Sequence, residues 1–136
     1  MCGICGKFDF QGSSVSEGLL KKMCQAIAYR GPDDEGILVS PPVGLGHRRL
    51  SIIDLSPAGH EPMSNEGGSL WLVFNGEIYD FKDLTSMVQA KGHRLRSDTD
   101  CEALLHLYEE EGFSCLRYLN GMFAFGLYDR PRVRLW

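Results

Sequence analysis

The sequence lacks any apolar run near the ~20 residues that a membrane-spanning helix needs, and it lacks a charged-then-apolar leader at its N-terminus. We therefore expect a protein that neither crosses a membrane nor is secreted. It also lacks an excess of basic charge, because 14 Lys and Arg face 18 Asp and Glu for a formal net charge of −4. This balance argues against nucleic acid as a partner and favours small molecules and proteins.

Cysteine is too scarce for a disulfide-stabilised scaffold, with five residues in a chain of 136. The odd number leaves at least one thiol free, which indicates a reducing, cytoplasmic compartment. We interpret three of the five as buried structural cysteines: Cys24, Cys101 and Cys115.

The spacing of Cys2 and Cys5 is also that of a C-x-x-C metal or redox pair. Alternation along a strand would place the two thiols on opposite faces, and the chain has no second C-x-x-C. The four histidines lack the close spacings typical of structural zinc: His47, His60, His93 and His106. We therefore expect no metal site.

Apolar periodicity predicts strands and helices in one α+β domain over residues 1–136, with no repeat or linker to divide it. The predicted strands are residues 2–10, 36–39, 43–46 and 122–128, the last of them covered on both faces. The predicted helices are residues 17–29, capped by Ser16, then 81–90 and 100–111.

A buried strand is predicted at residues 70–74, where the sequence is continuously apolar, and we expect it to end in a sharp turn at Asn75-Gly76. The segment 56–68 before it is rich in Gly, Pro, Ser and Asn and has no clear period. A loop of that length is typical of a functional site.

Cys2 is a candidate nucleophile because it follows an initiator methionine. Removal of Met1 would leave a residue that carries both a thiol and a free α-amine. The amine titrates near pH ~8 and the thiol near ~8.5, so the amine can accept the thiol proton at neutral pH. A cysteine at position two is often accidental, so this interpretation depends on the other motifs.

Five segments in order resemble the class II glutamine amidotransferase domain of glutamine-dependent asparagine synthetases, over essentially the whole chain. They are Met1-Cys2-Gly3-Ile4, Arg30-Gly31-Pro32-Asp33, residues 46–54 (GHRRLSIID), Asn75-Gly76-Glu77-Ile78-Tyr79 and Gly121-Met122-Phe123-Ala124-Phe125. The resemblance implies a four-layer αββα sandwich of the N-terminal-nucleophile hydrolases. It also implies hydrolysis of L-glutamine to glutamate and ammonia.

The resemblance assigns catalysis to three residues. Cys2 would attack the side-chain amide of glutamine and form a thioester. Asn75 and the backbone N–H of Gly76 would form an oxyanion hole, whose donors meet charge that develops only in the tetrahedral intermediate.

The resemblance assigns the two charged ends of glutamine to an arginine and an acid. Arg49, rather than Arg48, would clamp the α-carboxylate with its planar fork. Asp100 would pair with the α-ammonium, with Asp98 as the rival, and either acid could instead cap the following helix. Three further residues complete the expected substrate-binding set: Glu77, Ile52 and Ile53.

Two departures from the family pattern limit these expectations. Tyr29 stands where the family commonly has histidine, and we do not expect this to abolish hydrolysis. The resemblance also implies a domain that continues for several more strands and is followed by a synthetase domain, so we expect this chain to be truncated at its C-terminal end and to lack the synthetase domain. No Ser-Gly-Gly-x-Asp-Ser nucleotide loop occurs, so activation of aspartate cannot be assigned to it. No cofactor is therefore expected in this chain, with ATP and Mg²⁺ confined to a synthetase domain or subunit.

Three alternatives remain open at this point. The chain could be an inactive or truncated fragment that binds glutamine or a partner without turnover. It could also serve another acceptor, such as a sugar phosphate. The exposed sheet edges of a truncated domain could pair two copies in a homodimer.

Overall fold

The computed structural model describes residues 1–136, which form ten regular helices and strands joined by turns and short 3₁₀ segments. The strands are β1 (Gly3–Phe8), β2 (Asp34–Ser40), β3 (Val43–Arg49), β4 (Met63–Ser64), β5 (Leu70–Ile78), β6 (Gly121–Asp129) and β7 (Arg134–Leu135). The helices are α1 (Glu17–Ala26), α2 (Phe81–Ala90) and α3 (Asp100–Glu111).

The strands form two antiparallel sheets. The first has the order β1-β3-β2, so the chain start lies at an edge and pairs with β3 from Gly3↔Arg48 to Phe8↔Val43. The second has the order β4-β5-β6-β7, and its central pair runs from Leu70↔Asp129 to Ile78↔Gly121. The mixed α+β class expected from the sequence is confirmed.

Each sheet packs against its own helices, and the sheets also contact each other. Helix α1 lies on the first sheet, where Leu20 and Cys24 are fully buried. Helix α3 packs on β5, with α2 beside it, around the larger apolar core of the chain. The two sheets meet through a small cluster of buried side chains: Val43, Leu45, Val73 and Tyr128.

Helix α1 begins as predicted and ends earlier than predicted. Ser16 caps it, because its side chain accepts the backbone N–H of Leu19. The helix ends at Ala26 rather than near Tyr29. The backbone N–H of Ile27 turns back to the carbonyl of Cys24, and the tighter i→i+3 pattern continues as a 3₁₀ turn.

The predicted turn at Asn75-Gly76 is wrong, because β5 continues through both residues to Ile78. Asn75 pairs with Ala124 and Gly76 with Phe123. A Cβ on Gly76 would lie 2.3 Å from the carbonyl oxygen of Met122. The glycine therefore marks a close approach of two strand backbones, which a sequence pattern cannot separate from a turn.

The prediction that β6 is covered on both faces holds only for its C-terminal end. Leu127 to Asp129 are buried, whereas Met122 and Ala124 are exposed on the face that carries Tyr128 of the inter-sheet cluster. None of the helices combines the length and the hydropathy needed to cross a membrane.

Candidate active site

A cavity beside Cys2 brings together segments that are distant in sequence. Its walls come from the chain start, the end of β3 with the segment after it, the middle of β5 and the N-terminus of α3. Seven of the residues predicted for the site line it: Cys2, Arg49, Ile52, Ile53, Gly76, Glu77 and Asp100. One cavity therefore holds a thiol, an arginine and an aspartate.

Asn75 does not line the cavity, although its neighbours Phe74 and Gly76 do. Alternation along β5 turns its side chain toward the face opposite Phe74. Its Oδ1 atom is buried and has no hydrogen-bond partner. The structure thus shows an unpaired amide oxygen next to the cavity rather than in its wall.

The sulfur of Cys2 lies against the backbone of Leu50, at the end of β3. The Leu50 amide nitrogen lies 3.4 Å from Sγ, and the Leu50 carbonyl oxygen lies 3.7 Å from it. Burial raises the pKa of the Cys2 thiol, and the hydrogen bond from the Leu50 amide offsets part of that rise. With Met1 in place, the sulfur is held as a thiol at neutral pH.

The Arg30-Gly31-Pro32-Asp33 segment holds the chain start and the Arg49 segment together. Arg30 donates its Nε–H to the carbonyl oxygen of Cys2 at 2.9 Å. Asp33 accepts the backbone N–H of Ser51 at 2.8 Å. The sequence offered this segment only as a motif, and the structure gives it a positioning role.

Arg49 is buried, and its guanidinium is fixed by the loop that follows it. Its Nη1 donates to the carbonyl oxygen of Ser56 at 2.8 Å, and its Nη2 donates to the carbonyl oxygen of Asp54. A Cβ on Gly59 would lie 2.2 Å from Nη2, so a larger residue there would displace the guanidinium from this position. Two of the five N–H donors are thus used, and the group still faces the cavity.

Asp100 is the buried acid at the start of α3, whereas Asp98 is exposed and outside the cavity. The Asp100 carboxylate accepts the backbone N–H groups of Ile78 at 2.9 Å and of Cys101 at 3.0 Å. Burial raises its pKa, while these two hydrogen bonds act in the opposite direction. Of the two rivals, Asp100 is therefore the one that faces the cavity with Cys2.

The backbone N–H of Gly76 points away from β6, in the same direction as the N–H groups of Phe74 and Ile78. Phe74 donates to the carboxyl of Glu61 at 2.5 Å and Ile78 donates to Asp100 at 2.9 Å, whereas Tyr79 donates toward Asn120 of the β6 side. Backbone groups of alternate strand residues share one direction. Gly76 lies midway between Phe74 and Ile78, so its N–H faces the cavity.

Glu61 is a cavity residue that sequence reasoning missed, because a lone glutamate in a loop carries no signal. It is 6% exposed and lies 3.6 Å from Nε2 of His47. Burial raises the pKa of Glu61 to about 8, against the effect of the hydrogen bond from Phe74. Burial likewise lowers the pKa of His47 to about 4, so both side chains are neutral at pH 7.

The side chains whose arrangement would suit a metal ion lie outside this cavity. They are Glu66, His93, His106 and Glu109. The cavity itself offers a thiol, a backbone N–H directed into it, a fixed guanidinium and a buried acid. This set suits an amino-acid substrate that carries a carbonyl group.

Comparison with known proteins gives a consistent family match. A model of the glutamine amidotransferase domain matches residues 1–136. Asparagine synthetase [glutamine-hydrolyzing] 2 of Bacillus subtilis is 38% identical over 139 aligned residues, which cover 100% of this chain. Asparagine synthetase B [glutamine-hydrolyzing] of Escherichia coli is 40% identical over 135, covering 97% of the chain.

A third relative has a different name. Amidase chry2 of Gibberella zeae is 40% identical over 147 aligned residues, which cover 99% of this chain. In each case the chain spans only a small part of the relative, namely 18%, 24% and 22% of these three proteins.

Proposed function

Since the chain belongs to the glutamine amidotransferase domain family, we propose that it is the glutamine-hydrolysing part of an asparagine synthetase, which supplies ammonia for transfer to activated aspartate. The names of the Bacillus subtilis and Escherichia coli relatives support this choice. Activation of aspartate by ATP and Mg²⁺ belongs to a synthetase domain or subunit that partners this chain. We assign the reaction to the cytoplasm, in agreement with five cysteines that are all free.

The observation that carries the proposal is the shared cavity of Cys2, Arg49 and Asp100. A free amino acid has a carboxylate and an ammonium on one carbon, and recognising both requires a cation and an anion close together. Arg49 can donate further N–H groups to the α-carboxylate. Asp100 can accept the α-ammonium, which leaves the side-chain amide directed toward the sulfur.

The proposed reaction begins after removal of Met1. The new α-amine of Cys2 takes the thiol proton, and the thiolate attacks the amide carbon of glutamine. The C–N bond breaks, the proton goes to the departing nitrogen as ammonia, and a thioester remains. Water then attacks the thioester, so glutamate leaves and the thiol is restored.

The oxyanion of the tetrahedral intermediate needs preorganised donors. The N–H of Gly76 is directed into the cavity and is the first such donor in this proposal. Asn75 would be the second, through its side-chain NH₂. The Asn75 side-chain oxygen is buried without a hydrogen-bond partner next to the cavity, so no hydrogen bond holds that oxygen in place. A rotation of the side chain toward bound substrate would bring its NH₂ group to the oxyanion.

We further propose that the fold is the four-layer αββα sandwich of the N-terminal-nucleophile hydrolases. The supporting contacts are those of α1 with the first sheet, of the two sheets with each other, and of α3 with the second sheet. Cys2, immediately before β1, then lies in the cavity at one end of the paired sheets.

The decisive experiment measures release of glutamate from L-glutamine by protein from which Met1 has been removed, with intact mass as the check on processing. Cys2→Ala and Cys2→Ser should abolish release while leaving the melting temperature near that of the parent. Cys5→Ser, three residues further along in β1 and outside the cavity, should retain it. Measurable turnover by Cys2→Ala would overturn the assignment of the nucleophile.

A second candidate function is glutamine hydrolysis for another acceptor. The name of the Gibberella zeae relative favours keeping it, because a protein of similar identity carries the name amidase rather than synthetase. Both candidates share the chemistry at Cys2 and differ in the partner that consumes ammonia. Production of asparagine by this chain together with its synthetase partner, with aspartate and ATP present, separates them.

A further inference from the structure

A second cluster of polar side chains lies away from Cys2, where three segments meet on the outer side of the second sheet. Glu66 comes from the turn between β4 and β5, and His93 from the segment after α2. His106 and Glu109 lie on α3. One nitrogen or oxygen atom from each of the four lies within 4.8 Å of the others.

The two imidazoles present the same atom to the same two carboxylates. Nδ1 of His106 lies 3.0 Å from Glu109 and 3.4 Å from Glu66. Nδ1 of His93 lies 3.6 Å from Glu66 and 3.8 Å from Glu109. Both nitrogens face the same oxygen of Glu109, Oε2, while Glu66 presents Oε2 to His106 and Oε1 to His93. The four side chains therefore converge on one region rather than forming separate pairs.

These separations have the size that a tetrahedral ion requires. Bonds of ~2.1 Å from Zn²⁺ to nitrogen and oxygen place neighbouring ligand atoms about 3.4 Å apart. The four nitrogen–oxygen distances of 3.0, 3.4, 3.6 and 3.8 Å bracket that value. An ion at the centre would need only small movements of side chains, of which Glu66 is 46% exposed and free to adjust.

The outer nitrogen of each imidazole faces a further carboxylate. Nε2 of His93 lies 3.2 Å from Glu110, and Nε2 of His106 lies 3.8 Å from Glu102. A carboxylate on the far nitrogen fixes the tautomer that leaves Nδ1 free to bind a metal. His93 thus has a hydrogen-bonded partner of this kind, and His106 has a carboxylate near its Nε2 beyond hydrogen-bond distance.

The carboxylates are oriented as well. Asn65 donates from Nδ2 to one oxygen of Glu109 at 2.7 Å, and the other oxygen faces His106. The backbone N–H of Arg94 lies 3.3 Å from one oxygen of Glu66. All four inward-facing groups therefore have a second contact that directs them.

We propose that Glu66, His93, His106 and Glu109 form a structural zinc site with two nitrogen and two oxygen ligands. Two imidazoles favour a transition metal over Mg²⁺ or Ca²⁺, and four protein ligands fit a closed tetrahedral ion. Two carboxylates balance its double charge. The ion ties the β4–β5 turn and the segment after α2 to α3, the helix that begins with Asp100.

The experiment titrates the metal-stripped chain with ZnCl₂ and follows heat, stoichiometry and melting temperature. One Zn²⁺ per chain should bind and raise the melting temperature, and Co²⁺ should give the absorption spectrum of a tetrahedral nitrogen–oxygen site. His93→Gln should weaken binding at least tenfold. Glu110→Gln should weaken it ~10- to 100-fold, as loss of an outer-sphere partner does.

Two controls separate this site from other ligands. His60→Gln removes an imidazole that pairs with Asp34 at 2.6 Å but has no further ligands around it, and it should leave binding unchanged. Cys5→Ser should also leave it unchanged. If His93→Gln fails to fold, Glu66→Gln, with a half-exposed side chain, provides the same test. Absence of binding, or binding that depends on cysteine, would refute the proposal.

Discussion

The carboxylate of Asp100 accepts the backbone N–H of Ile78 at 2.9 Å. This contact joins the first residue of α3 to the last residue of β5, two positions beyond Gly76. It fixes the acid that we assign to the α-ammonium relative to the donor that we assign to the oxyanion. Binding and chemistry are therefore set by one helix–strand junction.

Replacing Asp100 by asparagine tests its role in substrate binding. The amide keeps an oxygen for the N–H of Ile78 but loses the negative charge. Hydrogen bonds to charged groups contribute about 1.5–3 kcal/mol, so KM for glutamine should rise roughly 10- to 100-fold. Steady-state glutaminase kinetics measure this. Asp98→Asn, at the exposed rival position, should leave KM unchanged.

Arg49→Lys tests whether the planar fork is required. Lysine keeps the positive charge but cannot hold the carbonyls of Asp54 and Ser56 while also binding a carboxylate through two parallel hydrogen bonds. We expect KM for glutamine to rise at least tenfold. The matched control is Arg48→Lys, whose guanidinium instead contacts Glu35 and Gly31. Equal effects of the two changes would contradict the assignment.

Glu61→Gln should change the pH dependence of stability. The folded pKa of about 8 lies above the ordinary 4.5, so the native state binds the proton more tightly. The stability that this tighter proton binding gives the folded protein is complete below pH 4.5 and is lost as the pH rises through 8. The side chain of the Glu61→Gln variant stays neutral at every pH. The free energy of unfolding of the variant should therefore rise relative to that of the parent between pH 5 and 8, by a few kcal/mol.

Chemical unfolding at several pH values measures that gain. Glu35→Gln is the control, because Glu35 is half-exposed and paired with Arg48. It should leave the pH dependence nearly unchanged. A difference between Glu61→Gln and the parent that stays constant across this range would show that Glu61 is ionised in the folded protein.

Gly76→Ala should destabilise the second sheet. The added Cβ would lie 2.3 Å from the Met122 carbonyl oxygen and 2.5 Å from the Cα of Phe123, and neither backbone atom can move cheaply. Overpacking of this kind costs typically ~1–3 kcal/mol. Gly67→Ala, with no atom within 4 Å of its Cβ, should cost far less. Melting temperatures of the two variants provide the comparison.

The sequence predicted the elements whose signal is local. The cap at Ser16 and the helices at 81–90 and 100–111 were confirmed because capping and apolar spacing act within a few residues. The predicted end of β5 was wrong. Whether the backbone at Gly76 turns or pairs in a sheet depends on β6, which follows much later in the chain.

The composition of the cavity was predictable only in part. The ordered motifs led to Cys2, Arg49 and Asp100, and the fold brought them together. Glu61 gave no signal, because its raised pKa arises mainly from burial by distant segments. Likewise, His93 and His106 are far apart in sequence, and the packing of α2 against α3 brings their rings to 4.6 Å.

The bond from Arg30 to the carbonyl of Cys2 has a consequence for maturation. This hydrogen bond holds the peptide unit between Cys2 and Gly3, whereas Met1 before it is 69% exposed. An aminopeptidase could therefore shorten the folded molecule without disturbing that hydrogen bond. The new terminus would already stand at its working position, so activation would require cleavage and no refolding.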